Sequence, residues 1–379
     1  MEPQYDFPHE GYHRKNLRSM KQIAVIGTQG VPAKYGGFET LVENIIGKNC
    51  SSSTQYTIFC SKKDYSERPK TYNGAELRYV PFFHANGIQS IPYDILSMIL
   101  AARKFDSILI LGVSGCIFLP VFRLFYKKRL IINVDGLEHR REKWGKAAKW
   151  FLRTSEAMAI KYADAIVADN KGIQDYITET YAKNSFLIAY GGDHVIKSIP
   201  QDRNEKILST YKLKPKSYAI TVCRIEPENN CHIILEAFKC STEKLVFVGN
   251  WNRSEYGQKL KEKYSVYNNI LTLDPIYDLD VLFVLRENSK LYCHGHSAGG
   301  TNPSLVEAMF FGIPIIAYDV VYNRETTFGK AFYFRTSNEL SSIITNSSDK
   351  LQQCGMDMIE LAKREYRWKD IADKYESLY

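Results

Sequence analysis

Short apolar runs rich in β-branched residues alternate with amphipathic stretches along the chain, and this alternation restricts the fold more than any other feature. Residues 23–26, 56–59, 77–80, 108–111, 130–134, 165–168 and 186–188 form a first series, with helical spacing of apolar residues between most of them. Parallel strands need long crossovers, normally helices that cover both faces of the sheet. The series therefore predicts an α/β unit. Tyr190-Gly-Gly-Asp-His194 and Pro200 read as its end and a linker. A second series follows at 218–223, 245–248, 270–273, 291–293, 315–317 and 331–334. With 379 residues, the expectation is two Rossmann-like domains facing across a cleft, with ligands at the carboxyl ends of strands.

The most informative loop is residues 294–312, HGHSAGGTNPSLVEAMFFG. It reads as a strand end, a polar glycine loop and a helix. Gly299 and Gly300 lack Cβ and permit close backbone approach to a ligand. Asn302 suits the N-cap and Pro303 the first helical position. A helix beginning there turns unpaired amides and a positive dipole end toward the loop, which favours an anion such as a diphosphate. Leu305, Ala308, Met309 and Gly312 fall on the sheet-facing side, leaving Glu307 near the mouth. Ser304 and Glu307 also fit a capping box, in which the carboxylate only satisfies backbone donors. Pro303 argues against that register.

Composition narrows the class. The chain is 45% hydrophobic and 24% charged, as expected of a globular protein, and its net charge of +8 suits phosphates or an anionic surface. No helix presents a face for reading nucleic acid, and none is expected as a partner. The eight cysteines lack C-x-x-C spacing, so reduced thiols are expected rather than a zinc or redox centre. Residues 1–19 lack an apolar signal segment and read as a loose extension before Met20. The apolar run 107–124 is divided by Gly112, Ser114, Gly115 and Pro120 into a strand and a helix, against a membrane span.

Taken together, 294–317, 26–40 (IGTQGVPAKYGGFET), 133–144 (NVDGLEHRREKW) and 224–230 (RIEPENN) resemble the retaining GT-B glycosyltransferases of family four. Within that family they are most similar to the capsule and O-antigen rhamnosyltransferase-like branch. The match runs in order through nearly the whole chain from Met20. It implies an acceptor domain at 20–197, a nucleotide-sugar donor domain at 198–362, and a final helix at 363–379 crossing back to the first domain. The stripe Trp368, Ile371, Ala372, Tyr375 and Leu378 supplies the apolar face such a helix buries.

The resemblance assigns the donor to Arg224, Asn229, His296, Gly299, Gly300, Thr301, Asn302, Pro303, Ser304 and Glu307, with Glu307 near the ribose. Gly36 and Gly37 would border the donor phosphates and the acceptor; as residues alone they also fit a plain turn. Asp135 stands where many members carry a histidine near the reacting sugar. It could bind a hydroxyl, accept a proton or merely cap a turn. His139 is a second catalytic candidate, or a surface histidine. Two departures stand out. Asn229 occupies the place of a phosphate-gripping lysine, for which Lys34 or a loop histidine could compensate. Gly299 occupies the place of a glutamate that meets sugar hydroxyls. That change suggests a different sugar, such as a 6-deoxyhexose, with His296 taking over some contact.

Asp278-Leu-Asp280 matches the D-x-D string of metal-dependent glycosyltransferases, but Asp also favours a helix start; no metal or resident cofactor is expected. Residues 140–153, with Arg123, Lys127, Lys128 and Arg129, read either as a basic, aromatic surface for an anionic membrane or as an amphipathic helix on its sheet. The expected activity is retaining transfer of rhamnose from a dTDP donor to a lipid-linked glycan, by a cytoplasmic protein peripheral to the inner face of the membrane. Alternatives are a UDP- or GDP-hexose donor and a degenerate scaffold. A nicotinamide oxidoreductase would need a full glycine fingerprint, which the weak Gly27-x-x-Gly30 does not provide.

Overall fold

A computed structural model describes residues 20–379, apart from 35, 49–52, 142–143, 240 and 347. The expected extension at 1–19 and the thiols of Cys50 and Cys240 lie outside the described residues. The first domain contains β1 (Lys21–Ile26), β2 (Thr54–Ser61), β3 (Thr71–Tyr72), β4 (Ala75–Val80), β5 (Ser107–Leu111), β6 (Arg129–Asn133), β7 (Ala165–Ala168) and β8 (Phe186–Leu187). Among the described residues they form one sheet in the order β3-β4-β2-β1-β5-β6-β7-β8. All neighbours are parallel except β3 and β4, a short antiparallel hairpin that the apolar pattern did not predict. Its Thr71-Tyr72 arm is too short and too exposed to leave a hydrophobic signature.

The second domain contains β9 (Tyr218–Val222), β10 (Lys244–Val248), β11 (Ile270–Leu273), β12 (Leu291–His294), β13 (Ile315–Tyr318) and β14 (Phe332–Phe334), all parallel, in the order β11-β10-β9-β12-β13-β14. The strand order reverses between β9 and β12. A crevice opens at such a switch point, beyond the carboxyl ends of the two strands. Arg224 follows β9 and the 295–302 loop follows β12, so the fold brings both to one place. The central strands bury both faces, as in Ile108–Leu111 and Leu291–Cys293, which explains their continuous apolar sequence.

The Trp368–Glu376 helix crosses back to the first domain as expected. Trp368, Ile371, Ala372, Tyr375 and Leu378 are buried in the cluster holding Ile23, Val25, Leu41 and Ile45. Burial of each larger side chain contributes about 1.5–3 kcal/mol. Polar anchors fix the register: Lys21 Nζ donates to the Tyr379 carbonyl at 2.6 Å, and Asn133 Nδ2 to Tyr375 Oη at 2.8 Å. The 107–124 run resolves into β5 and a short helix, Leu119–Phe125. Among the described residues no helix is long and apolar enough to cross a membrane.

Candidate active site

A cavity of about 400 Å³ lies between the domains. From the first domain it is lined by Gly36, Gly37, Asp135, Glu138, Arg141, Asp169 and Tyr190, among others. From the second come Arg224, Asn229, His296, Gly299, Gly300, Thr301, Asn302, Pro303, Ser304 and Glu307. A second cavity of about 330 Å³ adjoins it through Cys223, Arg224 and Ser304. Ile225, Val248, Pro275, Ile276 and Tyr277 make its lining more apolar.

The central loop forms as its residues dictate. Asn302 caps the Pro303–Met309 helix, its side chain accepting from the Ser304 amide at 3.0 Å. The capping-box alternative is not realised, because Glu307 is held elsewhere. Its carboxylate meets Arg286 at 2.6 Å and His194 Nε2 at 3.5 Å. Burial pushes the Glu307 acid up, but Arg286 and His194 outweigh it and hold it down at about 2. The indole of Trp368 donates to His194 Nδ1 at 2.8 Å, so the crossing helix braces this wall.

The expected array of phosphate-binding amides is thinner than the sequence suggested. The helix has only seven residues, and its Ser304 amide is taken by Asn302. The Leu305 and Val306 amides bond to the Asn302 carbonyl, and the Thr301 amide faces the Asp169 carboxyl. Thr301 Oγ1 donates to the Asp169 carbonyl at 2.5 Å, so this residue also ties the two domains together.

Arg224 faces both cavities, 3.8 Å from Glu226 and 3.7 Å from Glu228. Asn229 is buried and fully engaged: Nδ2 donates to the Arg224 carbonyl at 2.7 Å, and Oδ1 meets His296 Nδ1 at 2.6 Å. Since Asn229 Oδ1 must accept, the His296 ring donates from Nδ1. Burial, then His294, Arg141 and Arg224, hold this ring well below the usual histidine range. It is therefore neutral. His294 does not reach the cavity; it stacks on Tyr292 in the core, where burial lowers it to about 3.

On the opposite wall, Asp135 follows β6 with a left-handed backbone, φ +58°. For a non-glycine residue this conformation is costly and is concentrated at functional sites. Burial and the Glu138 carboxylate raise its acid above the ordinary range, against Arg141 and Arg224. Gly36 also has positive φ, and a Cβ there would lie 2.0 Å from Glu39 Oε2. Glu39 is occupied in bracing the first loop, accepting from Thr28 Oγ1 and the Gln29 amide. Gly27 and Gly30 are packing glycines against Leu111 and Cys60, without phosphate geometry.

Three sequence candidates fall elsewhere. His139 does not line the cleft; its Nδ1 meets the buried Glu156 carboxylate at 3.0 Å. That acid also accepts from Tyr176 and Tyr181 and needs the imidazole as partner. Lys34 lies 4.4 Å over the Tyr65 ring and away from the cavity, so it does not compensate for Asn229. Asp278 caps the Leu279–Glu287 helix, and Asp280 pairs with Lys197 and Arg203.

Sequence reasoning missed Arg141 and Asp169. Arg141 was grouped with a surface charge run, yet its side chain is 12% exposed and faces the cleft. Asp169 directly follows β7, a position where function clusters, and that signal was available. Its Oδ1 is buried without a hydrogen-bond partner. Burial, then Asp135, raises the Asp169 acid well above the ordinary range. A Cβ on Gly300 would sit 1.9 Å from that oxygen. The domains approach as closely at Gly136, where a Cβ would be 2.5 Å from the Gly299 Cα.

Two facing Rossmann-like domains with a polar cleft at their switch points define the GT-B fold of glycosyltransferases. Residues 202–337 match the family described as glycosyl transferases group 1. Residues 20–193 match a family described as a domain of unknown function, DUF1972. No curated protein matches the chain. Solved structures share the architecture. Sucrose-phosphate synthase from Thermosynechococcus elongatus is 14% identical, with TM-score 0.79 over 95% of this chain and 98% of that one. Anabaena HepE in complex with UDP-glucose is 15% identical, with TM-score 0.73 over 95% and 99%. The catalytic domain of starch synthase IV from Arabidopsis thaliana, bound to ADP and acarbose, is 13% identical, with TM-score 0.70 over 95% and 99%.

Proposed function

We propose that the protein is a glycosyltransferase that takes a sugar from a nucleoside diphosphate-sugar and passes it to an acceptor held by the first domain. The observation that carries this reading is the pair of joined cavities with Arg224 at their junction. The more apolar cavity suits a nucleoside, with Tyr277 and Ile276 beside the base. Arg224 then meets the diphosphate, and the transferred sugar lies among His296, Asp135 and Asp169. The group 1 domain and the UDP-glucose carried by HepE support a donor of this class.

Charge develops on the departing diphosphate as the glycosidic bond breaks. A guanidinium fixed beside it in a cleft that excludes water stabilises that charge. Asp135, with its raised acid, is the candidate to orient or deprotonate the acceptor hydroxyl. We assign retention and a deoxyhexose, with dTDP-rhamnose as the first donor to test; the sequence resemblance and the glycine at 299 support this choice. A lipid-linked acceptor is favoured by one surface. Leu124, Phe125 and Trp150 are 79%, 74% and 71% exposed, on two helices that pack together near Lys127, Lys146 and Arg153. That combination suits the headgroup region of an anionic bilayer on the cytoplasmic side.

The test is a thermal-shift screen with dTDP-, UDP-, GDP- and ADP-sugars and NAD, followed by mass detection of product on a lipid-linked acceptor. Stabilisation by one nucleotide sugar, lost in Arg224→Ala and Glu307→Ala, is the expected result. Stabilisation by NAD alone, or unchanged turnover and donor affinity in both variants, would overturn the assignment.

A further inference from the structure

We propose that Arg141, from the first domain, is the second cation of the donor diphosphate site. This deepens the nucleoside diphosphate reading above and rests on it.

The second domain is short of positive charge for such a ligand. Among the described residues lining the interdomain cavity the cationic side chains are Arg224 and Arg141, and the adjoining cavity adds Arg253. Asn229 is buried and has both ends of its amide engaged. The Ser304 amide already has an acceptor. A diphosphate carries more than one negative charge, so a single guanidinium, itself beside two carboxylates, leaves it poorly compensated.

Arg141 is placed to complete the site. Its Nη1 lies 2.9 Å from Glu138 in its own domain and 3.7 Å from Glu228 Oε1 in the other. Arg224 Nη2 lies 3.7 Å from the same oxygen. Two guanidinium groups, one from each domain, therefore flank a single carboxylate oxygen. Both contacts are far longer than the roughly 2.7–2.9 Å of a charge-assisted hydrogen bond. That Glu228 oxygen and Arg141 Nε are both buried without hydrogen-bond partners. An unsatisfied buried donor is costly, and Arg141 Nε marks where an oxygen of an anion would lodge, in competition with the Glu228 carboxylate for the two arginines. Gly299 lies beside it: a Cβ there would be in ordinary contact, 3.7 Å from Arg141 Nη2.

A phosphate oxygen entering between the two arginines would make the short contacts that Glu228, at 3.7 Å from each, does not.

The experiment is calorimetric titration of the parent, Arg141→Ala and Arg141→Lys with dTDP, UDP, GDP and ADP, each beside its nucleoside. The Ala variant should lose about tenfold or more in diphosphate affinity while nucleoside affinity stays constant. The Lys variant should recover part of that loss. An unchanged diphosphate-to-nucleoside ratio in Arg141→Ala, or equal losses for both ligands, overturns the assignment and leaves Arg141 a structural residue. If the Ala variant does not fold, the Lys variant decides by the same ratio. A parent that binds none of the diphosphates removes the nucleotide reading itself, an outcome distinct from failure at Arg141.

Discussion

Arg286 and Glu307 form a buried ion pair, 2.6 Å between nitrogen and oxygen, at the back wall of the cleft. Arg286 is reached by no sequence motif, yet it determines the charge state of a residue the cleft depends on. Removing one partner of a buried pair leaves the other uncompensated.

Arg286→Met should therefore destabilise the protein by roughly 3–5 kcal/mol at pH 7. The pH dependence has a definite sign. In the parent, the Glu307 acid is depressed to about 2, so its contribution is present above the unfolded carboxyl range and lost only as pH falls toward 2. Without Arg286, burial is opposed by His194 alone and the acid should rise from its depressed position. The deficit should then shrink as pH is lowered from 7 to about 4, where Glu307 takes a proton. Urea denaturation at both pH values measures this, and a pH-independent deficit would contradict it.

Gly136→Ala should separate fold from function. A Cβ at 136 meets the Gly299 backbone at 2.5 Å, across the domain boundary. Each domain can keep its own core while the cleft cannot close fully. Turnover should fall about tenfold or more, with little change in thermal stability. A variant as active as the parent would show that this contact is dispensable.

Asp169→Asn should leave nucleoside diphosphate affinity close to the parent's and reduce sugar transfer about tenfold, because Asp169 lines the part of the cavity to which we assign the sugar. Stability should move the other way. An acid raised in the folded state is stabilising below its unfolded range, and that contribution is lost as pH rises. The amide cannot ionise, so its advantage over the parent should be larger at pH 7 than at pH 4. Paired denaturation curves and kinetics with the best donor test both halves.

Leu124→Glu combined with Trp150→Glu should abolish co-sedimentation with vesicles containing anionic lipid. Both side chains are exposed, so folding stability should change by only about 0.5 kcal/mol per site. Retained vesicle binding would remove this surface as the membrane contact, and a parent that does not co-sediment would remove the membrane reading, while either leaves the nucleotide site untouched.

Much of the architecture was legible beforehand. The apolar runs from residue 23 to residue 334 became parallel strands, and the central ones are apolar at every position because both their faces are buried. The crossing helix was legible as well, since Trp368, Ile371 and Tyr375 mark a face that has to be covered. The 294–312 loop was recognisable from Gly299, Asn302 and Pro303, whose backbone preferences act locally.

The other half of the cleft was not legible, and the reason is geometric. Periodicity says which face of an element is buried, not which side chains from two separate sheets meet. Near residue 140 the sequence offered His139 and a run of positive charge. The left-handed backbone at Asp135 and Leu137 turns the chain so that His139 pairs with Glu156 and Arg141 enters the cleft. Asp169 follows an ordinary strand, and it gains significance only because Gly300 of the other domain leaves room beside it. Local preference and burial thus determined two α/β units and the loop at their meeting point. The pairing of Arg141 with Arg224, and of Asp169 with Gly300, was decided by the rigid docking of one sheet against the other, a relation between residues far apart in the chain.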